Sequence, residues 1–175
     1  MLSDKITLVT VTLPERKDLL LEQQKTVAIQ VMQPAAHIIV KDDGRGFVNT
    51  INRAVSLVDT EYFCLVDDDD LLLENHVQLL HENLVADVVW TWCEVQGRNW
   101  SPNSPYRPNI LQTMNYIPSN HAMRKEIFDS VGGYRETSGH PDHDILKRIE
   151  TAQGTFHNVP VITWIYRFHG SNMSQ

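Results

Sequence analysis

The chain has 175 residues, 42% of them hydrophobic and 21% charged, a balance that suits one domain with a sizeable core. Its net charge of −7 argues against binding a nucleic-acid backbone or an anionic membrane by charge alone. No apolar run approaches the roughly 20 residues that span a bilayer, so no transmembrane segment is expected, and the acidic residue ahead of the first apolar run fits a strand better than a signal peptide.

In chain order, Ile6 to Thr12 is β-branched and apolar, a buried strand that Pro14 ends. Lys17 to about Gln30 spaces Leu19, Leu20, Val27 and Ile29 among polar residues and predicts a helix. His37 to Lys41 predicts a second strand, punctuated by Asp42-Asp43-Gly44. Phe47 to Val58 has helical apolar spacing, Tyr62 to Val66 reads as a third strand, Glu74 to Val85 as a helix, and Asp87 to Val95 as a fourth strand. Alternating strands and helices imply a mostly parallel, Rossmann-like α/β sheet with helices on both faces.

From Gly97 to Ser119, Pro102, Pro105, Pro108 and Pro118 break regular structure, and a loop of this length is expected to act as a lid or binding loop. The four tryptophans read mostly as core residues, with Trp100 in this loop a candidate to stack on a sugar. Arg124 to Val131 predicts a short helix ended by Gly132-Gly133, Asp142 to about Ala152 a second one opened by Pro141, and Thr155 to Phe168 one or two strands. Cys64 and Cys93 lie far apart in apolar segments with no Cys-X-X-Cys spacing, which reads as buried free thiols in a reducing cytoplasm.

Four consecutive aspartates, Asp67 to Asp70, stand between the third strand and Leu71-Leu72-Leu73. Like charges this close raise one another's pKa, and a hard cation such as Mg²⁺ or Mn²⁺ relieves that cost. An EF-hand loop does not fit, because leucines occupy the middle of the ligand window. A solvated acidic surface is the plainer alternative, opposed by the apolar flanks. Asp42 and Asp43 end the second strand and, in a parallel sheet, share an edge with the run, although either alone reads as a turn former. Asp142 and Asp144, in His140-Pro141-Asp142-His143-Asp144, suit a helix N-terminus or a general base equally well. His121 and His169 are candidates for contacts to ligand or metal, while His37, His76, His81 and His157 read as surface or packing residues.

The first strand, Asp42-Asp43-Gly44, Leu65-Val66-Asp67-Asp68-Asp69-Asp70, the segment from Met123 to Glu136 (MRKEIFDSVGGYRE) and His140-Pro141-Asp142-His143-Asp144, in this order, resemble the family-2 glycosyltransferases of the GT-A fold. The resemblance implies one GT-A domain over residues 1–175, with a nucleotide-binding half (1–95) and an acceptor-binding half (96–175). It implies a metal-dependent, inverting transfer of a sugar from a nucleoside-diphosphate donor, UDP-linked by preference, to a hydroxyl of an unidentified glycan, lipid-linked or protein acceptor. Carried over by position, Asp42 is similar to the acid that reads the base, with Asp43, Asn52, Asp68 and His121 also on the nucleotide-sugar side. Asp67 and Asp69 resemble the D-X-D acids, Asp69 in direct metal contact, with Mn²⁺ or Mg²⁺ as cofactor. His169 falls where some relatives contact metal or diphosphate, and Asp142 matches the catalytic base.

The chain departs from that pattern in three places. Leu13-Pro14-Glu15-Arg16 replaces a Tyr-Asn-Arg-like turn, Arg45 replaces a Ser, and Pro141 replaces a Glu before the base. The chain is also short for the family, so a membrane-anchoring or acceptor-recognition module is expected to be missing or supplied by a partner. Two alternatives stand beside this one. One is a metal-dependent phosphohydrolase using His140, Asp142, His143 and Asp144 with His121 or His169. The other is a non-catalytic nucleotide-sugar-binding module.

Overall fold

The computed structural model describes residues 1, 3–99, 101 and 103–168. Its core is a seven-stranded sheet of order β2-β1-β3-β6-β5-β7-β4. The strands are β1 (Ile6–Thr12), β2 (Ala36–Lys41), β3 (Tyr62–Leu65), β4 (Leu71–Leu72), β5 (Val88–Gln96), β6 (His121–Arg124) and β7 (Phe156–Arg167). The helices are α1 (Lys17–Ala28), α2 (Phe47–Val55), α3 (His76–Glu82), α4 (Lys125–Ser130) and α5 (Pro141–Thr151). Among the described residues no helix is long and apolar enough to cross a membrane.

The α/β expectation holds, and the longest ladders, β1 on β2 and β5 on β7, are parallel. The sheet is nevertheless mixed. β6 runs antiparallel between β3 and β5, and the two-residue β4 pairs antiparallel with β7. Neither strand was expected from the sequence. His121-Ala122-Met123-Arg124 is too short to show a period, and the proline-rich loop before it hides its start.

The two faces follow from strand alternation. Val9, Phe63, Trp90 and Met123 face a layer built from Val48, Ile51 and Val55 of α2, Phe128 of α4, and Ile145, Leu146 and Ile149 of α5. Leu8, Tyr62, Cys64, Val89 and Trp164 face the other way, against Val27 of α1 and Val77 and Leu80 of α3. Each such side chain removed from water stabilises the fold by about 1.5–3 kcal/mol.

β1 lies between β2 and β3 and is parallel to both, with Thr12 opposite Lys41 and Val9 opposite Leu65. The carboxyl ends of these three strands therefore share one edge of the sheet, where open α/β folds form their ligand crevice. The chain leaves β1 through a short 3₁₀ turn, Pro14–Arg16, leaves β2 at Asp42 and leaves β3 at the aspartate run.

The second half delivers its acid to the same edge. α4 ends at Gly132-Gly133, both at positive φ (80° and 66°). At Gly133 a Cβ would sit 2.9 Å from Asn52 Oδ1 and 3.2 Å from the Phe128 ring, so only glycine lets the chain pass. Beyond it, α5 begins with Pro141 in its first turn, carries Asp142 and Asp144 there, and closes Asp144 on Arg148 at 2.8 Å one turn later.

Candidate active site

The crevice is a cavity of about 440 Å³. Five carboxylates line it: Asp42 from the end of β2, Asp67, Asp68 and Asp69 from the end of β3, and Asp142 from the first turn of α5. Arg16, Thr12, Ser119, His140 and Tyr166 complete its polar wall, with Val11, Leu13, Phe47 and Pro141 as apolar surface.

The aspartates are held differently. Asp67 accepts a hydrogen bond from Ser119 Oγ at 2.9 Å. Burial, with Asp69 and Asp142 nearby, pushes its pKa up to about 7. Asp68 accepts from Thr12 Oγ1 at 2.6 Å and pairs with Arg16 Nη2 at 3.1 Å. Burial raises its pKa, while Thr12 and Arg16 oppose the rise. Asp69 also bonds to Arg16, and its backbone carbonyl accepts from Arg167 Nε on β7. Asp70 is fully buried and turned away from the cavity. Its pKa is raised well above the carboxylate range by burial and by Asp67 and Asp69, against the pull of Arg167. The run thus divides into three acids at the cavity and one inside the fold.

Asp42 keeps the turn role that its type suggests and still faces the cavity. Its Oδ1 accepts from the Gly44 amide at 3.0 Å and from Thr50 Oγ1 at 3.1 Å. Asp43 is exposed and paired with Arg53 at 3.1 Å and Arg45 at 3.3 Å. It lies outside the cavity wall. Arg53 and Arg45 hold its carboxyl below the usual range.

Asn52, placed with the nucleotide-sugar residues by position, is a clamp. Its Nδ2 donates to the Tyr134 carbonyl at 2.9 Å and its Oδ1 accepts from the Tyr134 amide at 3.0 Å. That clamp seats Tyr134 beside Asp142. The Tyr134 hydroxyl is close enough to favour the carboxylate but short of a well-formed hydrogen bond. His121 does not line the cavity either. It is fully buried near Asp142, with Nδ1 2.7 Å from the Pro118 carbonyl. A carbonyl only accepts, so Nδ1 carries the proton. Burial raises the pKa of Asp142 and lowers that of His121, and His121, Tyr134 and His140 partly restrain the rise in Asp142.

Among the described residues, the grouping that a phosphohydrolase would need does not form. His143 Nε2 lies 2.6 Å from the Leu111 carbonyl and Asp144 is taken by Arg148. Among the described residues no three His, Cys, Asp or Glu side chains converge as a ready metal cage. His169 and Trp100 lie outside the described residues.

The loop from 97 to 120 is tied to α5. Tyr106 Oη and Gln112 Nε2 donate to Glu150 at 2.7 and 2.6 Å, and the Asn109 amide does so at 3.2 Å. The same helix therefore carries Asp142 at one end and the anchor of the loop at the other. Five polar residues at this site were not singled out from the sequence: Arg16, Thr12, Ser119, Tyr134 and Tyr166. Arg16 had the clearest available signal, a guanidinium in the turn after β1, on the same sheet edge as the acids.

A mixed sheet with an acidic crevice at the carboxyl ends of β1, β2 and β3, completed by an acid from a later helix, defines a GT-A domain. Residues 16–138 match Glycosyl transferase family 2, and the chain belongs to that family. No curated protein matches the chain in sequence.

Solved structures share the fold at low identity. S. aureus TarS 1–349 in complex with UDP-GlcNAc matches with a TM-score of 0.76 at 11% identity, over 96% of this chain and 60% of that one. A second crystal structure of S. aureus TarS 1–349 matches at 0.72 and 12% identity, over 93% and 60%. The mannosyltransferase PcManGT from Pyrobaculum calidifontis, in complex with GDP-Man and Mn²⁺, matches at 0.70 and 14% identity, over 96% and 58%. The chain thus spans less than two thirds of the length of each of these structures.

Proposed function

We propose that the chain transfers a sugar from a nucleoside-diphosphate donor to an acceptor hydroxyl, with a divalent cation and with inversion at the anomeric carbon. The observation that carries this reading is the meeting of Asp42, Asp67 to Asp69 and Asp142 in one cavity. The complexes of structural neighbours with UDP-GlcNAc and with GDP-Man and Mn²⁺ support a nucleotide-sugar donor of this kind. UDP is the preferred nucleotide to test first.

The donor set fits Mn²⁺ or Mg²⁺. Asp67 and Asp69 offer hard oxygens, and the Asp67 pKa, raised by burial and then by Asp69 and Asp142 nearby, marks a cost of ionisation that a cation would relieve. Such ions are commonly held by one or two carboxylates plus substrate phosphates, so a complete protein cage is not required. When bound, the cation supplies Lewis-acid neutralisation of the departing diphosphate.

The remaining work falls to the chain. Asp42 is assigned to the nucleotide side, and Asp68, held by Thr12, to the ribose or sugar. Asp142 takes the acceptor proton, and the raised pKa that burial gives it brings it nearer to what a general base needs at neutral pH. Tyr134 and His121 position that carboxylate. Residues 1–95 are assigned to the donor and 96–175 to the acceptor, with the anchored loop shaping the acceptor side. The two buried free thiols support a reducing, cytoplasmic setting.

Calorimetry with UDP, GDP and other nucleoside diphosphates, each with Mn²⁺ or Mg²⁺, tests the reading. Binding that needs a divalent cation and is lost in Asp69→Ala is expected. Failure of every nucleoside diphosphate to bind with either metal sinks it. Normal binding with neither transfer nor hydrolysis across an acceptor screen would favour the non-catalytic module instead.

A further inference from the structure

Arg16 carries the guanidinium on the wall of the acidic cavity, and its side chain is only 14% exposed. Its Nη2 lies 3.1 Å from Asp68 Oδ1 and bonds to Asp69 Oδ2 as well. Among the described residues no other Lys or Arg lines the cavity, although Arg167 bonds to the Asp69 backbone carbonyl from outside its wall. A guanidinium stays charged and its planar fork matches carboxylate and phosphate equally. Arg16 therefore already supplies, to Asp68 and Asp69, the positive charge that a divalent cation would bring.

The two charges compete for the same oxygen. A cation on Asp69 must displace the hydrogen bond from Arg16, and it then faces a fixed positive charge a few ångströms away. A diphosphate arriving with the cation removes both difficulties, because it gives the released guanidinium a new anionic partner. Resting on the reading of this cavity as a metal-dependent donor site, we propose that Arg16 is an exchangeable counter-ion. It holds Asp68 and Asp69 before the donor arrives, yields Asp69 to the cation and moves onto the donor's diphosphate. Cation and diphosphate then bind with positive coupling, each raising the affinity of the other by the same factor.

Titration of the whole chain by calorimetry tests this, with Mn²⁺ alone and then with UDP in saturating Mn²⁺. Arg16→Gln is expected to bind Mn²⁺ alone about tenfold tighter and UDP about tenfold more weakly, each shift being that of one charge-assisted hydrogen bond. Arg45→Gln removes the same charge from an exposed side chain and is expected to move the Mn²⁺ affinity less than about twofold, because solvent screens it.

Unchanged or weaker Mn²⁺ binding in Arg16→Gln overturns the proposal, as does an equal shift in Arg45→Gln. Unchanged UDP affinity overturns the transfer to phosphate. Should Arg16→Gln melt well below wild type, Arg16→Lys decides. It keeps the charge and loses the fork, so UDP binding falls while Mn²⁺ binding alone stays within about threefold; equal UDP affinity refutes the exchange. A wild-type chain that binds Mn²⁺ but no nucleoside diphosphate removes the donor reading and the phosphate step with it. One that binds both without opposite shifts in the variant removes this inference alone.

Discussion

Asp67→Asn separates what the site does for binding from what it costs the fold. In the folded chain the Asp67 pKa stands at about 7 against an ordinary value of 3.8. The folded state therefore holds a proton that the unfolded chain has released, and wild-type stability falls as pH rises from about 4 through about 7. Three pKa units at about 1.4 kcal/mol each set a ceiling of about 4 kcal/mol on this penalty at pH 8. Asp67 lines an open cavity and keeps contact with water, so about 1–2 kcal/mol is the expected size.

Asparagine has the same shape, still accepts the Ser119 hydrogen bond seen at 2.9 Å and never ionises. Urea unfolding of both proteins in EDTA at pH 4.5 and pH 8 gives the comparison. The variant should be more stable at pH 8, with the gap closing toward pH 4. Adding Mn²⁺ and UDP at 100 times the dissociation constant should add about 2.7 kcal/mol to wild type and much less to the variant, reversing the order. A variant less stable than wild type at pH 8, or a gap that ignores pH, would refute the electrostatic account of Asp67.

Asp142→Asn should retain donor binding in calorimetry and lower turnover by about 10²–10⁴-fold, the usual share of a general base. In the wild type, turnover should fall as pH drops through the raised Asp142 pKa, since the base must be deprotonated; a rate that falls only at the pH where an ordinary exposed carboxylate protonates would argue against it. Asn52→Ala leaves both Tyr134 backbone groups without their clamp and should cost about 1–3 kcal/mol in urea unfolding. If Asn52 instead touched the donor, UDP affinity would fall with stability unchanged. Glu150→Ala releases three hydrogen bonds from the loop to α5, and should raise the acceptor KM while leaving the UDP dissociation constant within about twofold.

Local pattern made much of the fold legible, and it failed where the pattern was short. Ile6 to Thr12 and Tyr62 to Val66 declared themselves as strands because a buried parallel strand is apolar throughout. The expected helix from Glu74 to Val85 shrinks to His76–Glu82, since Glu74 and Asn75 turn before the first buried face and Leu84 and Val85 follow its last turn. β6 escaped notice although it occupies the middle of the sheet. Its pairing with β3 and β5 is a long-range fact, and four residues cannot announce it.

The site was legible where chemistry sits at a strand end and illegible where it depends on distant partners. Asp42 and Asp67 to Asp69 share an edge because their strands are parallel neighbours of β1, and that topology was readable. Asn52 and His121 are polar residues in plausible places, yet their hydrogen bonds run to the Tyr134 backbone and to the Pro118 carbonyl. Asn52 seats Tyr134 next to Asp142, and His121 stands near the same carboxylate. The charge balance of the cavity was also hidden. Net charge counts acids and bases over the whole chain, whereas among the described residues five carboxylates and one guanidinium line the cavity. On the proposed reading, that local imbalance would make a diphosphate unwelcome without a cation, and it would set Arg16 and the cation in competition for the same carboxylate.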